Sequence, residues 1–292
     1  MNKQETQAAP DGAWLDRMYN NRGLVPEFAS HLERWATQSR QAREAQPCEL
    51  DLRYGEGEKE TLDVFPTTQG RKGGPVLFFI HGGYWRALDK SDKSFVAPAF
   101  TAQGATVVVP NYALCPAVTV PQIVLQMARA LAWTWRNAGR YGADPARIVV
   151  AGHSAGGHLA AMMLACLWQQ LASDLPRNLV KGSLSISGLY DLAPLMHTPF
   201  LQPDLQLTPE QVRQASPSLL PPPAQGRLYS VVGGDESAEF QRQNGLIRQA
   251  WGLRRVPVCE SLPGLNHFSV LEALVQPGHR LNQLAQRLLA VA

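Results

Sequence analysis

From residue 75 onward, short β-rich runs alternate with longer helical patterns, and this alternation confines the chain to few folds. "PVLFFI" (75–80), "ATVVVP" (105–110), "RIVVAG" (147–152), "GSLSIS" (182–187), "RLYSVV" (227–232) and "VPVCES" (256–261) read as buried strands. Residues 91–103, 121–140, 155–173, 236–252 and 269–290 read as helical. Near-continuous apolar strands separated by helices imply a mostly parallel central sheet with helices on both faces. Ahead of them, "CELDLRY" and "ETLDVFP" alternate apolar with polar residues, as an antiparallel edge pair does. Residues 1–45 read as a helical segment that packs on the core through Trp14, Leu15, Met18 and Tyr19; residues 46–292 form the α/β domain. One connection breaks the pattern. Residues 189–226 carry eight prolines and no strand, and an excursion of that length is a lid or an Ω-type loop, placed at about 192–225.

Bulk properties exclude several classes. Of 292 residues, 45% are hydrophobic and 17% charged, which fits a globular chain able to bury a large core. A net charge of +3, scattered along the chain, offers no footprint for nucleic acid. The opening "MNKQETQAAPDGAW" lacks the apolar centre of a secretory leader, and the apolar run ending at Trp168 is far short of the roughly 20 residues that span a bilayer. Cysteines 48, 115, 166 and 259 show no metal-type spacing. The expectation is a cytoplasmic enzyme with a small-molecule substrate, no metal and no cofactor; oligomeric state stays open, a homodimer included.

"GHSAGGHL" (152–159) follows one predicted strand and opens a helix. It holds Gly152-His153-Ser154-Ala155-Gly156, a G-x-S-x-G match. A serine on a sharp strand-to-helix turn adopts a strained backbone, and its neighbours two positions away must be small to avoid collision. Composition alone gives about 0.1 such matches by chance. The single match lies in the required strand–turn–helix context, which points to Ser154 as a nucleophile.

A serine hydroxyl needs a base, and in elbow-type folds the order is serine, acid, histidine. His267 in "LPGLNHFSV" lies in a loop after the last strand and is the favoured base; His279 sits at a helix start, and His197 falls inside the proline-rich excursion. For the acid, "RLYSVVGGDES" puts Asp235 at the carboxyl edge of the sheet, where ligands gather in open α/β folds. Asp191 and the adjacent Glu236 compete with it.

"FFIHGGYW" (78–85) ends a buried strand with two glycines. Given a serine nucleophile, the N–H groups of Gly82, Gly83 and Ala155 are suited to receive the negative oxygen of a tetrahedral intermediate. Tyr84 and Trp85 are expected to line an aromatic subsite, with at least one of them packed into the core beneath the loop.

"HGGYW" followed by "GHSAGGHL" resembles the kynurenine formamidase (arylformamidase) branch of the α/β-hydrolase family, related to hormone-sensitive-lipase-type esterases. The likeness runs over about 75–290 and extends weakly to "MYNNR" (18–22). It implies an α/β-hydrolase fold with Ser154 as nucleophile, Asp235 as acid, His267 as base and the HGG segment at the oxyanion hole. Tyr84 stands where esterase relatives carry a third glycine, which favours the formamidase branch, although bacterial esterases also carry HGGYW. The implied activity is hydrolysis of a small acyl amide such as N-formylkynurenine. A short-chain carboxylesterase is the alternative, and a non-catalytic binding protein of the same fold a remote third.

Overall fold

A computed structural model describes residues 11–70 and 72–292; the first ten positions of the expected N-terminal segment lie outside them. The strands are β1 (Glu49–Arg53), β2 (Thr61–Phe65), β3 (Gly74–Ile80), β4 (Thr106–Pro110), β5 (Ala143–His153), β6 (Val180–Ile186), β7 (Leu228–Gly233) and β8 (Val258–Leu262). They form one sheet in the order β1-β2-β4-β3-β5-β6-β7-β8. The β1–β2 and β2–β4 pairs are antiparallel; every other pair is parallel.

Alternation within β3 explains why the sheet is covered twice. Val76, Phe78 and Ile80 join the core on one face. Leu77 and Phe79 join the core on the other. Side chains of a strand point alternately to the two faces, so an unbroken apolar run requires helices on both. The edge strand β1 carries Glu49, Asp51 and Arg53 and is largely exposed, which discourages pairing with another chain.

The helices differ from expectation at three breaks. The stretch 155–173 is two helices, because Cys166 turns extended after Ala155–Ala165 and a short helix resumes at Trp168–Leu171. The stretch 269–290 divides into Ser269–Val275 and Arg280–Val291 at Pro277-Gly278, with Gly278 at φ +80. Residues 91–103 hold two 3-10 turns and only a short helix, Ala97–Thr101, whose Pro98 fits a first turn alone.

From β3 the chain passes to β4 on one side and returns to β5 on the other. The carboxyl ends of β3 and β5 therefore flank a switch in strand order, where open α/β sheets leave a crevice for ligands. Two segments outside the sheet cover it. Helices Gly12–Tyr19 and Phe28–Ala45 precede the sheet, and Tyr19 anchors the first by donating to Glu239 Oε2 at 2.6 Å. The proline-rich excursion folds into short turns and the helix Pro209–Ala215, with Leu192, Leu195, Leu201 and Leu205 buried beneath it. No helix among the described residues is long and apolar enough to cross a membrane.

Candidate active site

Ser154 sits between β5 and the helix Ala155–Ala165 with φ 59 and ψ −121, a conformation that non-glycine residues rarely hold. Close packing on both sides keeps it there. A Cβ on Gly156 would lie 2.1 Å from the Ile80 carbonyl oxygen, and one on Gly152 would lie 2.1 Å from that of Gly156. The two small residues of the motif thus let helix, β5 and β3 meet backbone to backbone. The Ser154 N–H donates to the Ile186 carbonyl at 2.8 Å, pinning the turn to β6.

His267 lies in the loop after β8, and its Nδ1 is 2.6 Å from Glu236 Oε2. The sequence choice for the acid, Asp235, is corrected here. After Gly233 the chain turns tightly, with Glu236 N–H donating to the Gly233 carbonyl at 3.2 Å, which leaves the Asp235 side chain in solvent and returns that of Glu236 beneath the strand end. The Glu236 side chain is fully shielded from solvent. Its other oxygen accepts from Ser187 Oγ at 2.5 Å and from the Gly233 N–H at 2.7 Å. Glu236 thus engages three hydrogen-bonding groups, and the two on Oε1 fix the carboxylate so that Oε2 faces the His267 ring. Asp191 is elsewhere: it accepts from the Ala193 N–H at 3.0 Å and lies 3.7 Å from Arg242. His279 caps the final helix by accepting from the Leu281 N–H at 3.2 Å.

Ser154 and His267 line one cavity of about 310 Å³. The hydrogen bonds of His267 go to Glu236 and His153, and none joins its ring to Ser154 Oγ. The HGG loop runs along the same floor. A Cβ on Gly82 would meet the His153 carbonyl oxygen at 2.7 Å and Ser154 Cβ at 3.0 Å, so only glycine brings this backbone against the serine. Tyr112 Oη donates to the His81 carbonyl at 2.9 Å while its ring stacks on His81 at 4.1 Å. The N–H groups of Gly82, Gly83 and Ala155 have no acceptor among the described residues. Donors left open beside a serine suit an oxygen that becomes negative during reaction.

Tyr84 and Trp85 share left-handed backbones, φ 50 and 54, and the sharp turn sends them opposite ways. Tyr84 lines the cavity, and its phenol donates to the Tyr19 carbonyl at 2.7 Å. Burial pushes that phenol well above its ordinary pKa, so it stays neutral. Trp85, expected at the substrate, has no exposed surface and packs edge-on against His158 at 4.9 Å; it is a core residue. Consecutive left-handed residues allow only one of the two side chains to face the site.

Other walls come from residues that motif reading missed. Trp35, Phe200, Phe268 and His153 line the cavity, as do Asn20, Asn21 and Arg22, the polar end of "MYNNR". That short string was the only sequence signal for Asn20, Asn21 and Arg22. His153 donates from Nε2 to the His267 carbonyl at 2.8 Å. Burial, then the charge of His267, holds its pKa well below the ordinary value, so it orients the loop as a neutral ring. Behind Trp35, the Lys93 ammonium sits 4.2 Å over the indole, and burial lowers its pKa to about 8.

The sheet order, the serine turn after β5 and the histidine loop after β8 define a hydrolase of the α/β-hydrolase fold. The BD-FAE family matches residues 62–201. Kynurenine formamidase of Salmo salar is 32% identical, over 99% of this chain and 97% of its own. A crystallised thioesterase candidate of a Silicibacter species superposes with a TM-score of 0.81 at 30% identity, over 93% of this chain and 98% of its own. Esterase LipQ of Mycobacterium tuberculosis is 32% identical over 77% of this chain and 58% of its own length. The chain belongs to the kynurenine formamidase family.

Proposed function

We propose that this protein hydrolyses N-aryl formamides, N-formylkynurenine above all, through a formyl-enzyme on Ser154. One observation carries the reading: likeness to a kynurenine formamidase across nearly the whole of both chains, including the N-terminal segment that walls the cavity. The cavity supports it. Tyr84, Phe200, Trp35 and Phe268 offer aromatic faces, and its volume of about 310 Å³ fits a one-ring substrate.

The proposed steps run through the residues of this cavity. Ser154 Oγ attacks the formyl carbon while His267 Nε2 takes its proton. Glu236 holds the opposite ring nitrogen and stabilises the imidazolium. The carbonyl oxygen, now negative, is received by the N–H groups of Gly82, Gly83 and Ala155. His267 returns the proton to the anilide nitrogen, the C–N bond breaks, and the arylamine leaves. Water then attacks the formyl ester with the same base, releasing formate and restoring Ser154.

A second reading, a short-chain carboxylesterase, draws on the likeness to LipQ. The test is kcat/KM for N-formylkynurenine beside formyl, acetyl, butyryl and octanoyl esters of one phenol. Formylkynurenine and formyl esters should lead; a maximum at octanoyl without formylkynurenine cleavage moves the assignment to a carboxylesterase. The cysteines at 48, 115, 166 and 259 are all free thiols, which favours a reducing compartment such as the cytoplasm.

A further inference from the structure

We infer that Arg22 recognises a carboxylate on the leaving-group side of the substrate, so that the enzyme selects anionic aryl substrates over neutral ones of the same shape. The inference rests on the arylformamide reading for its biological substrate, but the residue's charge preference stands on the geometry of the cavity. Two arginines and one aspartate line that cavity: Arg22, Arg86 and Asp204. Arg86 donates to Asp204 Oδ2 and to the Phe200 carbonyl, so these two charges cancel each other. Arg22 has no carboxylate within ion-pair distance among the described residues. Its guanidinium lies 5.5 Å over the Phe28 ring, which holds it in place without neutralising it. Of the two arginines lining the cavity, Arg22 is the one without an ion-pair partner among the described residues.

Position adds to charge. Ser154 is 3% exposed and lies at the cavity floor, whereas Arg22 is exposed at the mouth. A substrate whose acyl group sits at Ser154 and whose ring lies by Tyr84 must send its remaining substituent toward that mouth. Asn21, the neighbour of Arg22, also lines the cavity and is 5% exposed, with its side chain against the Tyr84 hydroxyl. An anionic oxygen brought to this wall meets the planar fork of Arg22.

The test uses two matched substrates, 3-(4-acetoxyphenyl)propanoate and its uncharged primary amide, together with the same pair as N-formyl anilides. The wild-type enzyme should favour the carboxylate in kcat/KM by about tenfold or more, mainly through KM, with the preference shrinking as salt rises. Arg22→Gln should bring the carboxylate-to-amide ratio close to one, and Arg22→Lys should keep part of it, since charge remains while the fork is lost. The ratio within each variant corrects for any general loss of activity or fold. Calorimetric binding of 3-(4-hydroxyphenyl)propanoate against its amide reads the same preference without turnover. A wild-type ratio near one, or an Arg22→Gln ratio equal to wild type, overturns the inference. If neither anilide is cleaved, the formamide reading fails while the ester pair and the binding measurement still decide Arg22.

Discussion

Glu236 reaches the His267 ring at 2.6 Å from a fully shielded position, while Asp235, one residue earlier, faces solvent. Adjacent carboxylates thus have different surroundings, and they should separate sharply in kinetics. Glu236→Gln should lower kcat by about 10³–10⁴-fold, because the amide can neither fix the imidazole tautomer nor balance its charge. Asp235→Asn should stay within about threefold of wild type, as a surface substitution does. Equal losses in the two variants would return the acid role to Asp235.

Ser154→Ala should abolish turnover, with losses approaching about 10⁶-fold, while the unfolding midpoint stays within a few degrees. Adding His267→Ala to it should cost little more, because residues acting as one unit are not additive. Steady-state turnover and thermal melting of the single and double variants test both statements.

Tyr84 and Trp85 should fail in different ways. Trp85→Ala empties a fully buried site and should cost about 3–5 kcal/mol of stability, read by denaturant unfolding. Tyr84→Ala should instead raise KM for aryl substrates more than for an alkyl formate. A Tyr84 variant that weakens both substrates equally argues against its place beside the arene.

Gly156→Ala tests the packing that holds the serine turn. The added methyl would sit 2.1 Å from the Ile80 carbonyl oxygen, which is backbone and cannot rotate away. Destabilisation of about 1–3 kcal/mol, with loss of activity, is expected. Wild-type stability and kcat in this variant would show that the helix can shift freely from the sheet.

Acid should weaken the fold in a defined window. Burial lowers the pKa of His81 and of His158 from 6.5 to about 4, and that of His153 well below 6.5. Between 6.5 and about 4 the unfolded chain binds these protons and the folded chain does not. Stability conferred by keeping the rings neutral is therefore present above pH 6.5 and declines as pH falls toward 4, by up to about 1.4 kcal/mol per pH unit for each ring. Unfolding free energies measured across this range, with His158→Gln as the comparison, should show a shallower slope in the variant.

Much of this was legible in sequence because it follows from constraints that admit few solutions. Two-sided burial forces Val76–Ile80 of β3 and Ile148–Ala151 of β5 to be apolar, and steric exclusion forces Gly152 and Gly156 around Ser154. Other features depend on directions that a residue string does not encode. Whether Asp235 or Glu236 turns inward is decided by the backbone after Gly233. Whether Tyr84 or Trp85 faces the cavity is decided by their two consecutive left-handed residues. The walls at Asn20–Arg22, Trp35 and Phe200 come from segments distant in sequence, which only the tertiary fold brings together.

That assembly divides the protein's labour between the sheet and the segments that cover it. Ser154, the HGG loop, Glu236 and His267 hang directly from strand ends, where a change of position disturbs the whole sheet. Arg22, Trp35, Phe200 and Asp204 belong to the N-terminal helices and the proline-rich excursion, which touch the sheet only through their buried sides. Substrate preference can therefore drift through substitutions in those two coverings while the reaction itself stays fixed, and a family sharing this sheet can diversify its substrates without rebuilding its chemistry.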